Sequence, residues 1–355
     1  MVLSISACKK SENETPPSSK NIYFPPTNSQ NWESVTPESL NWDIDKLNEL
    51  YDYLSNNNTR AFIILKDGKL VSEKYRGKNV LNTAPFDKNT NWYWASAGKS
   101  LTAFLVGLAQ QEGLININNK TSDYLGNNWT SLPLEKENLI TIRNQLTMTT
   151  GLNYDVPNLD CTDPSCLQFK ADSGSQWYYH NAPYKLLEEV VSNASSITYN
   201  QFTDIKLENK IGMDGTWIPL GYNNTYWSTP RSAARFGLFM LNNGKWDSNE
   251  IMTDQNYFND MVTSSQELNP SYGYLFWLNG KQSTIFPGIA SPVSISVAPN
   301  APSDLIAAMG KNGQIIDIVP SKNLVVIRMG ETPDGSLLPV LFHNEMWKML
   351  MTVID

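Results

Sequence analysis

The sequence predicts an α+β fold: an antiparallel sheet flanked by helices, built from both ends of the chain, with a mainly helical lobe inserted between them. Three observations predict it. Near the start, Ala61–Lys66 and Lys69–Tyr75 are strand-forming runs joined by Asp67-Gly68, a favoured tight hairpin turn. Toward the end, Tyr272–Asn279, Ser291–Val297, Leu305–Met309, Gln314–Val319 and Leu324–Met329 read as further strands. Between these groups lies a loop-rich region with several helical periods and no internal repeat.

The elements follow in order. Asp43–Leu54 is predicted as a helix because Ile44, Leu47, Leu50, Tyr51 and Leu54 recur at helical spacing. After the hairpin, Ser100–Glu112 forms a second helix that stops at Gly113, a natural C-terminal cap. Leu101, Phe104, Leu105, Leu108 and Ala109 make one apolar face, and no charge occurs from Leu101 to Ala109. Such a helix is buried all round. Helices are also expected over Ala182–Ser195, around Ser232–Asn242, and over Pro339–Val353, with the proline in the first turn.

Composition excludes several classes. A chain of 355 residues, 41% hydrophobic and 17% charged, can bury a large core. Its net charge of -8 argues against a nucleic-acid partner, which needs a basic surface. No apolar run approaches the ~20 residues needed to span a bilayer. With two histidines, His180 and His343, and no His-Glu-x-x-His or Cys-x-x-Cys spacing, a histidine-based metal site is not expected. A Ser-His-Asp triad would have to recruit one of the same two.

The cysteines divide by position. Cys161 and Cys166 frame a short loop with a proline, a spacing that allows a disulfide in an oxidising compartment; two free thiols are the alternative. Ile5-Ser6-Ala7-Cys8 looks like a lipobox, so Cys8 is a candidate lipidation site and residues 1–8 the end of a lipoprotein signal. Residues 9–31, polar and rich in Pro and Ser at their start, read as a flexible tether. An exported protein is expected, in the bacterial periplasm or on the outer membrane, with Cys8 as its membrane contact. Residues 32–355 form a single domain: a sheet lobe of 32–95 plus 266–355, and a helical lobe of 96–265.

The candidate chemistry starts at Ser96-Ala97-Gly98-Lys99. Gly98-Lys99-Ser100 imitates a phosphate-binding loop, but Tyr93 stands where its first glycine is required. Trp94 likewise rules out a Gly-x-Ser-x-Gly elbow. A serine activated by lysine remains. An alcohol needs a nearby base to act as a nucleophile, and residues i and i+3 share a helix face. Burial or a second cation lowers an amine pKa enough to make it that base. The alternative is Ser96 as a helix N-cap and Lys99 as a solvated first-turn residue.

Two more segments carry polar groups suited to a cleft. Tyr179-His180-Asn181 precedes a helix, where Asn181 could equally be an N-cap, and His180 either lines the cleft or is an exposed loop residue, the commoner case. Lys311-Asn312-Gly313-Gln314 precedes a strand, and its Asn-Gly pair is also a hairpin-turn signal.

Ser-x-x-Lys, then Tyr-x-Asn about eighty residues on, then Lys-x-Gly near the C-terminus, resembles the penicillin-recognising serine hydrolases. The chain looks like the class C β-lactamase branch, with its esterases, D-amino-acid peptidases and 6-aminohexanoate-dimer hydrolases. Ile140–Leu152, Ile211–Trp217, Ser232–Leu238 and Tyr272–Trp277 are similar to the family as well, over roughly residues 35 to 350. The resemblance implies a β-lactamase/transpeptidase-like fold and a serine hydrolase that forms an acyl-enzyme on a small amide, peptide or ester, with no cofactor or metal. It implies Ser96 as nucleophile, Lys99 as base, Tyr179 as proton shuttle and Lys311 as positive potential. Asn181 would hold the substrate amide, and the N–H groups of Ser96 and Gln314 would bind the oxyanion. Asn312 and Gly313 complete the substrate-binding set. Two lysines beside Tyr179 would lower its pKa. Asn312 departs from the Lys-Thr-Gly of true β-lactamases, where a hydroxyl meets the β-lactam carboxylate. A D-amino-acid carboxypeptidase or penicillin-binding protein, and a penicillin-binding sensor without turnover, are the alternatives; a solute-binding lipoprotein would leave the motifs unexplained.

Overall fold

The computed structural model describes residues 22–354; Cys8 and residues 9–21 of the expected tether lie outside them. The main sheet has six strands in the order β2-β1-β11-β10-β9-β8, all antiparallel. They are β1 (Thr59–Lys66), β2 (Lys69–Tyr75), β8 (Trp277–Leu278), β9 (Ile306–Gly310), β10 (Gln314–Val319) and β11 (Leu324–Gly330). The N-terminal hairpin docks its first strand on the last strand of the chain, which closes the sheet from both ends as expected.

Strand alternation splits the sheet into two apolar faces. Phe62, Ile64, Ile315, Val319, Leu324 and Val326 pack against α1 (Ile44–Asn56) and the C-terminal helix Val340–Ile354. Ala61, Ile63, Ile316, Ile318, Val325 and Ile327 face the larger core. The Pro230–Leu241 helix covers that second face, although the sequence places it in the helical lobe. Nearly every residue of it is buried, and a Cβ added at Gly237 would meet Val325 Cγ1 at 2.5 Å. The missing side chain lets helix and sheet approach that closely.

The second helix of the chain, α2 (Gly98–Gln111), is buried from Gly98 to Ala109, as its charge-free sequence predicts. It packs against the Asn181–Ser195 helix. A three-stranded sheet stands beside it: β3 (Trp92–Tyr93) pairs with β5 (Asn223–Ser228), which pairs with β4 (Gly215–Leu220). A two-residue ribbon, β6 (Lys245–Trp246) and β7 (Asn249–Glu250), lies further on. Among the described residues, no helix is long and apolar enough to cross a membrane.

Three expectations need correction. Residues 22–31 are not a tether. Tyr23 donates its backbone N–H to Asp67 O, Phe24 packs edge-on to Trp246, and Arg235 donates to the carbonyls of Pro26 and Ser29. Ser291–Val297 is not a strand: its alternating residues are largely exposed, and only Val293 pairs, with Thr284. Tyr272–Phe276 is irregular because its backbone bonds go elsewhere, Tyr274 N–H to Met261 O and Leu275 N–H to Leu146 O.

Candidate active site

Ser96 sits where the two sheets meet. Upstream, Trp94 donates its backbone N–H to Tyr226 O at 2.8 Å and its indole N–H to Ser228 Oγ at 2.8 Å. These bonds tie the approach to β5. Ala95 then takes a left-handed φ of 48°, uncommon for a residue with a Cβ, and Ala95–Ala97 form a single 3-10 turn leading into α2. From the other side, a Cβ added to Gly310 at the end of β9 would lie 3.0 Å from Ser96 N and 2.5 Å from Trp94 O. Glycine there brings the β9–β10 end against the Ser96 turn.

Ser96 does not cap the helix, since no side-chain cap bond occurs at its start. Lys99 is not solvated: it is 3% exposed, its Nζ 3.3 Å from Ser96 Oγ and 2.9 Å from Asn181 Oδ1. The same nitrogen lies over the Tyr184 ring, 3.7 Å from its centroid. Burial lowers the Lys99 pKa well below the ordinary lysine value, Asp160 and Glu188 oppose that, and Lys185 adds to it. The second cation acting on Lys99 is therefore Lys185, not Lys311.

Tyr179 is held by aromatic packing, its ring stacked on Trp277 with centroids 5.9 Å apart. Trp277, which opens β8, and Tyr272 in the irregular segment before it form the wall behind it. The lowered tyrosine pKa expected from two lysines is not what the environment produces. Burial pushes the Tyr179 phenol up, and its contact with Ser96 offsets only part of that. Tyr179 is a neutral phenol, a proton donor at rest.

Asn181 opens the Asn181–Ser195 helix but is not its N-cap; that position belongs to His180. Its amide bridges an amine and a carboxylate, accepting from Lys99 and donating to Asp160 Oδ1 at 2.7 Å. His180 is buried, not an exposed loop residue, and burial pulls its pKa down to about 4.

A cleft of about 100 Å³ brings Ser96, Tyr179, Asn181 and Lys311 together, walled by Leu159, Pro287, Leu337 and Leu338. Lys311-Asn312-Gly313 is both a turn and a cleft edge: Asn312 and Gly313 take φ of 64° and 72° between β9 and β10, while Lys311 faces the cleft. The other expected side chains are directed elsewhere. Asn312 donates to Tyr93 Oη at 2.8 Å, and Gln314 exchanges hydrogen bonds with the Gly330 backbone. Gly313 is buried against Arg328.

The Cys161–Cys166 disulfide forms as expected, and Asp160 is the residue immediately before it. Sequence reasoning missed the layer behind Asn181. Asn223 and Asn224, at the start of β5, donate to Asp160 Oδ2 and Glu188 Oε2. Lys185 and Glu188 form a buried pair 4.0 Å apart, in which desolvation lowers the lysine pKa and raises that of Glu188 to about 6. The close presence of Cys161, Asp163 and Cys166 offers no thiolate to an ion, because both sulfurs are in the disulfide.

An antiparallel sheet with helices on both faces, and a cleft at its edge holding serine, tyrosine and lysine, define the β-lactamase/transpeptidase-like fold class. A model of the Beta-lactamase family matches residues 58–335, and the chain belongs to that family. An uncharacterised protein of Alkalihalophilus pseudofirmus is 25% identical over 324 residues, covering 82% of this chain and 88% of the relative. Among solved structures, a candidate 6-aminohexanoate-dimer hydrolase from Bacillus anthracis superimposes with a TM-score of 0.67 at 16% identity, over 93% of this chain and 89% of that one. A penicillin-binding protein homologue from Caulobacter crescentus gives a TM-score of 0.66 at 12% identity, over 87% and 98%. At these identities the likeness is one of fold.

Proposed function

We propose that this chain is a serine hydrolase that transfers the acyl group of a small amide, peptide or ester to Ser96 and then to water. The observation that carries the reading is a buried amine of depressed pKa, 3.3 Å from the hydroxyl that opens the cleft. Neutral Lys99 takes the Ser96 proton as Oγ attacks the substrate carbonyl carbon. The Ser96 and Gln314 backbone N–H groups would stabilise the oxyanion. Collapse breaks the bond to the leaving group, which takes a proton from the Tyr179 phenol; the proton on Lys99 restores Tyr179. A water then attacks the ester, its proton passes back through the same groups, and Ser96 is released. Lys311 supplies positive potential at the cleft edge for an anionic substrate group.

The disulfide and the lipobox-like Ile5–Cys8 segment support a place outside the cytoplasm, anchored through Cys8. Mass spectrometry after exposure to a penicillin and a panel of activated esters tests the chemistry. Wild type should gain a mass on the peptide containing Ser96, and Ser96→Ala should not. No adduct across the panel overturns the covalent mechanism. An adduct that accumulates without product release identifies a sensor instead.

A further inference from the structure

Asn181 faces Lys99 with its carbonyl oxygen, and nothing in Asn181 itself dictates that choice. A primary amide can present either a donor or an acceptor. The choice is made one residue further out. The Asp160 carboxylate, which only accepts, takes the Asn181 Nδ2 donor at 2.7 Å. The loop carrying Asp160 is fixed on several sides. Asp160 N–H donates to Asn158 Oδ1 and Asn223 donates to Asp160 Oδ2. Ala182 N–H donates to Leu159 O, and the disulfide begins at the next residue, Cys161.

We propose that Asp160 is a positioning residue for the Ser96–Lys99 pair: by accepting from the Asn181 amide it sets which end of that amide meets Lys99, and the disulfide loop and Asn223 hold it in place. The inference rests on the acyl-transfer reading above. A neutral amine has one lone pair. While Asn181 Oδ1 accepts an N–H of Lys99, the lone pair stays free for the Ser96 proton. With the amide turned over, its NH₂ would donate to that lone pair and occupy the base. Asp160 also acts through charge. Lys99 is faced by Tyr179 and Tyr184, by Lys185 and Glu188 on the Asn181–Ser195 helix, and by Asp160 from the loop. The negative charge of Asp160 raises the proton affinity of Lys99 against the lowering by burial.

The rate of Ser96 labelling by a fluorophosphonate, followed against pH, separates these effects. In that step the Oγ–P bond forms, fluoride leaves, and the Ser96 proton passes to Lys99. Asp160→Asn keeps an acceptor for Asn181 and removes the charge. Its acid limb should move to lower pH, and its plateau should fall less than that of Asp160→Ala. Asp160→Ala should show the shifted limb and a plateau reduced roughly 10- to 100-fold, as expected when a reacting pair is misplaced. For p-nitrophenyl acetate, the loss should appear in kcat with KM retained. The double variant Cys161→Ser/Cys166→Ser should fall between wild type and Asp160→Ala. An unshifted limb in Asp160→Asn, or an undiminished plateau in a folded Asp160→Ala, overturns the inference; where Asp160→Ala does not fold, the Asp160→Asn limb decides alone. Wild type that remains unlabelled at Ser96 at every pH overturns the acyl-transfer reading itself.

Discussion

Lys99 holds its Nζ 3.3 Å from the Oγ of Ser96, three residues earlier in the chain. Both groups lie on one continuous stretch of backbone, which brings them to the same side of the chain, and Asn181 and Tyr184 hold the amine from the neighbouring helix. The amine is depressed because the surrounding helix gives it no water. Acylation needs the neutral amine, so kcat/KM should rise with pH through the Lys99 pKa and reach its plateau below the ordinary lysine range. Lys99→Ala should lower kcat by about 10² to 10⁴, the usual worth of a positioned base, and abolish that limb. A pH profile of kcat/KM for an activated ester, run on both proteins, checks this.

Tyr179 is a donor with a raised pKa, so it should introduce no alkaline limb near neutral pH. Its value depends on the leaving group. A p-nitrophenolate departs without a proton, whereas an alkoxide or amine needs one. Tyr179→Phe should therefore slow acylation by an alkyl ester or an anilide by about 10² or more, and by much less with a p-nitrophenyl ester. Equal losses with both leaving groups would contradict a proton-donor role.

The parts legible in the sequence are those set by local spacing. Ser96 and Lys99 share a turn, Asp67-Gly68 makes the hairpin, and the charge-free stretch from Leu101 to Ala109 announces a buried helix. The motif order supplied Tyr179 and Lys311, which the fold brings to the same cleft. Asp160, Asn223 and Glu188 carried no such signal. Their contacts join three segments far apart in the chain, and no period or motif marks them. The β4–β5 hairpin was missed because only Trp217 is buried along β4 and Pro219 lies within it, so neither alternation nor composition reads as a strand. Val293, Ile295 and Val297 misled in the opposite sense. They alternate as a strand should, but only Val297 reaches the core.

The turn that carries Lys311 is secured by Arg328, fully buried on β11. Its guanidinium donates to the carbonyl oxygens of Asn57, Glu331, Asn312 and Gly313 and to Thr59 Oγ1. Arg328→Met should leave those carbonyls short of donors and destabilise the fold by about 3 kcal/mol. A Tm lower by roughly 5–10 °C is expected, and KM for an anionic substrate should rise as Lys311 loses its footing. Thermal unfolding by circular dichroism and a KM comparison between anionic and neutral esters test the two effects separately.

Asn312 stands where β-lactamases carry a threonine, which invites the substitution Asn312→Thr as a route to antibiotic hydrolysis. The backbone argues against that outcome. Asn312 has a φ of 64°, a conformation that asparagine tolerates and a β-branched residue resists by roughly 1–2 kcal/mol. Its side chain is committed to Tyr93 Oη, a bond that threonine is too short to copy. Asn312→Thr should therefore lower the Tm by a few degrees without raising nitrocefin turnover. Asn312→Gly, which suits the same φ, should lose only the Tyr93 bond and remain nearer wild type in stability. A gain in nitrocefin hydrolysis by Asn312→Thr at unchanged Tm would show that position 312 reaches the cleft after all.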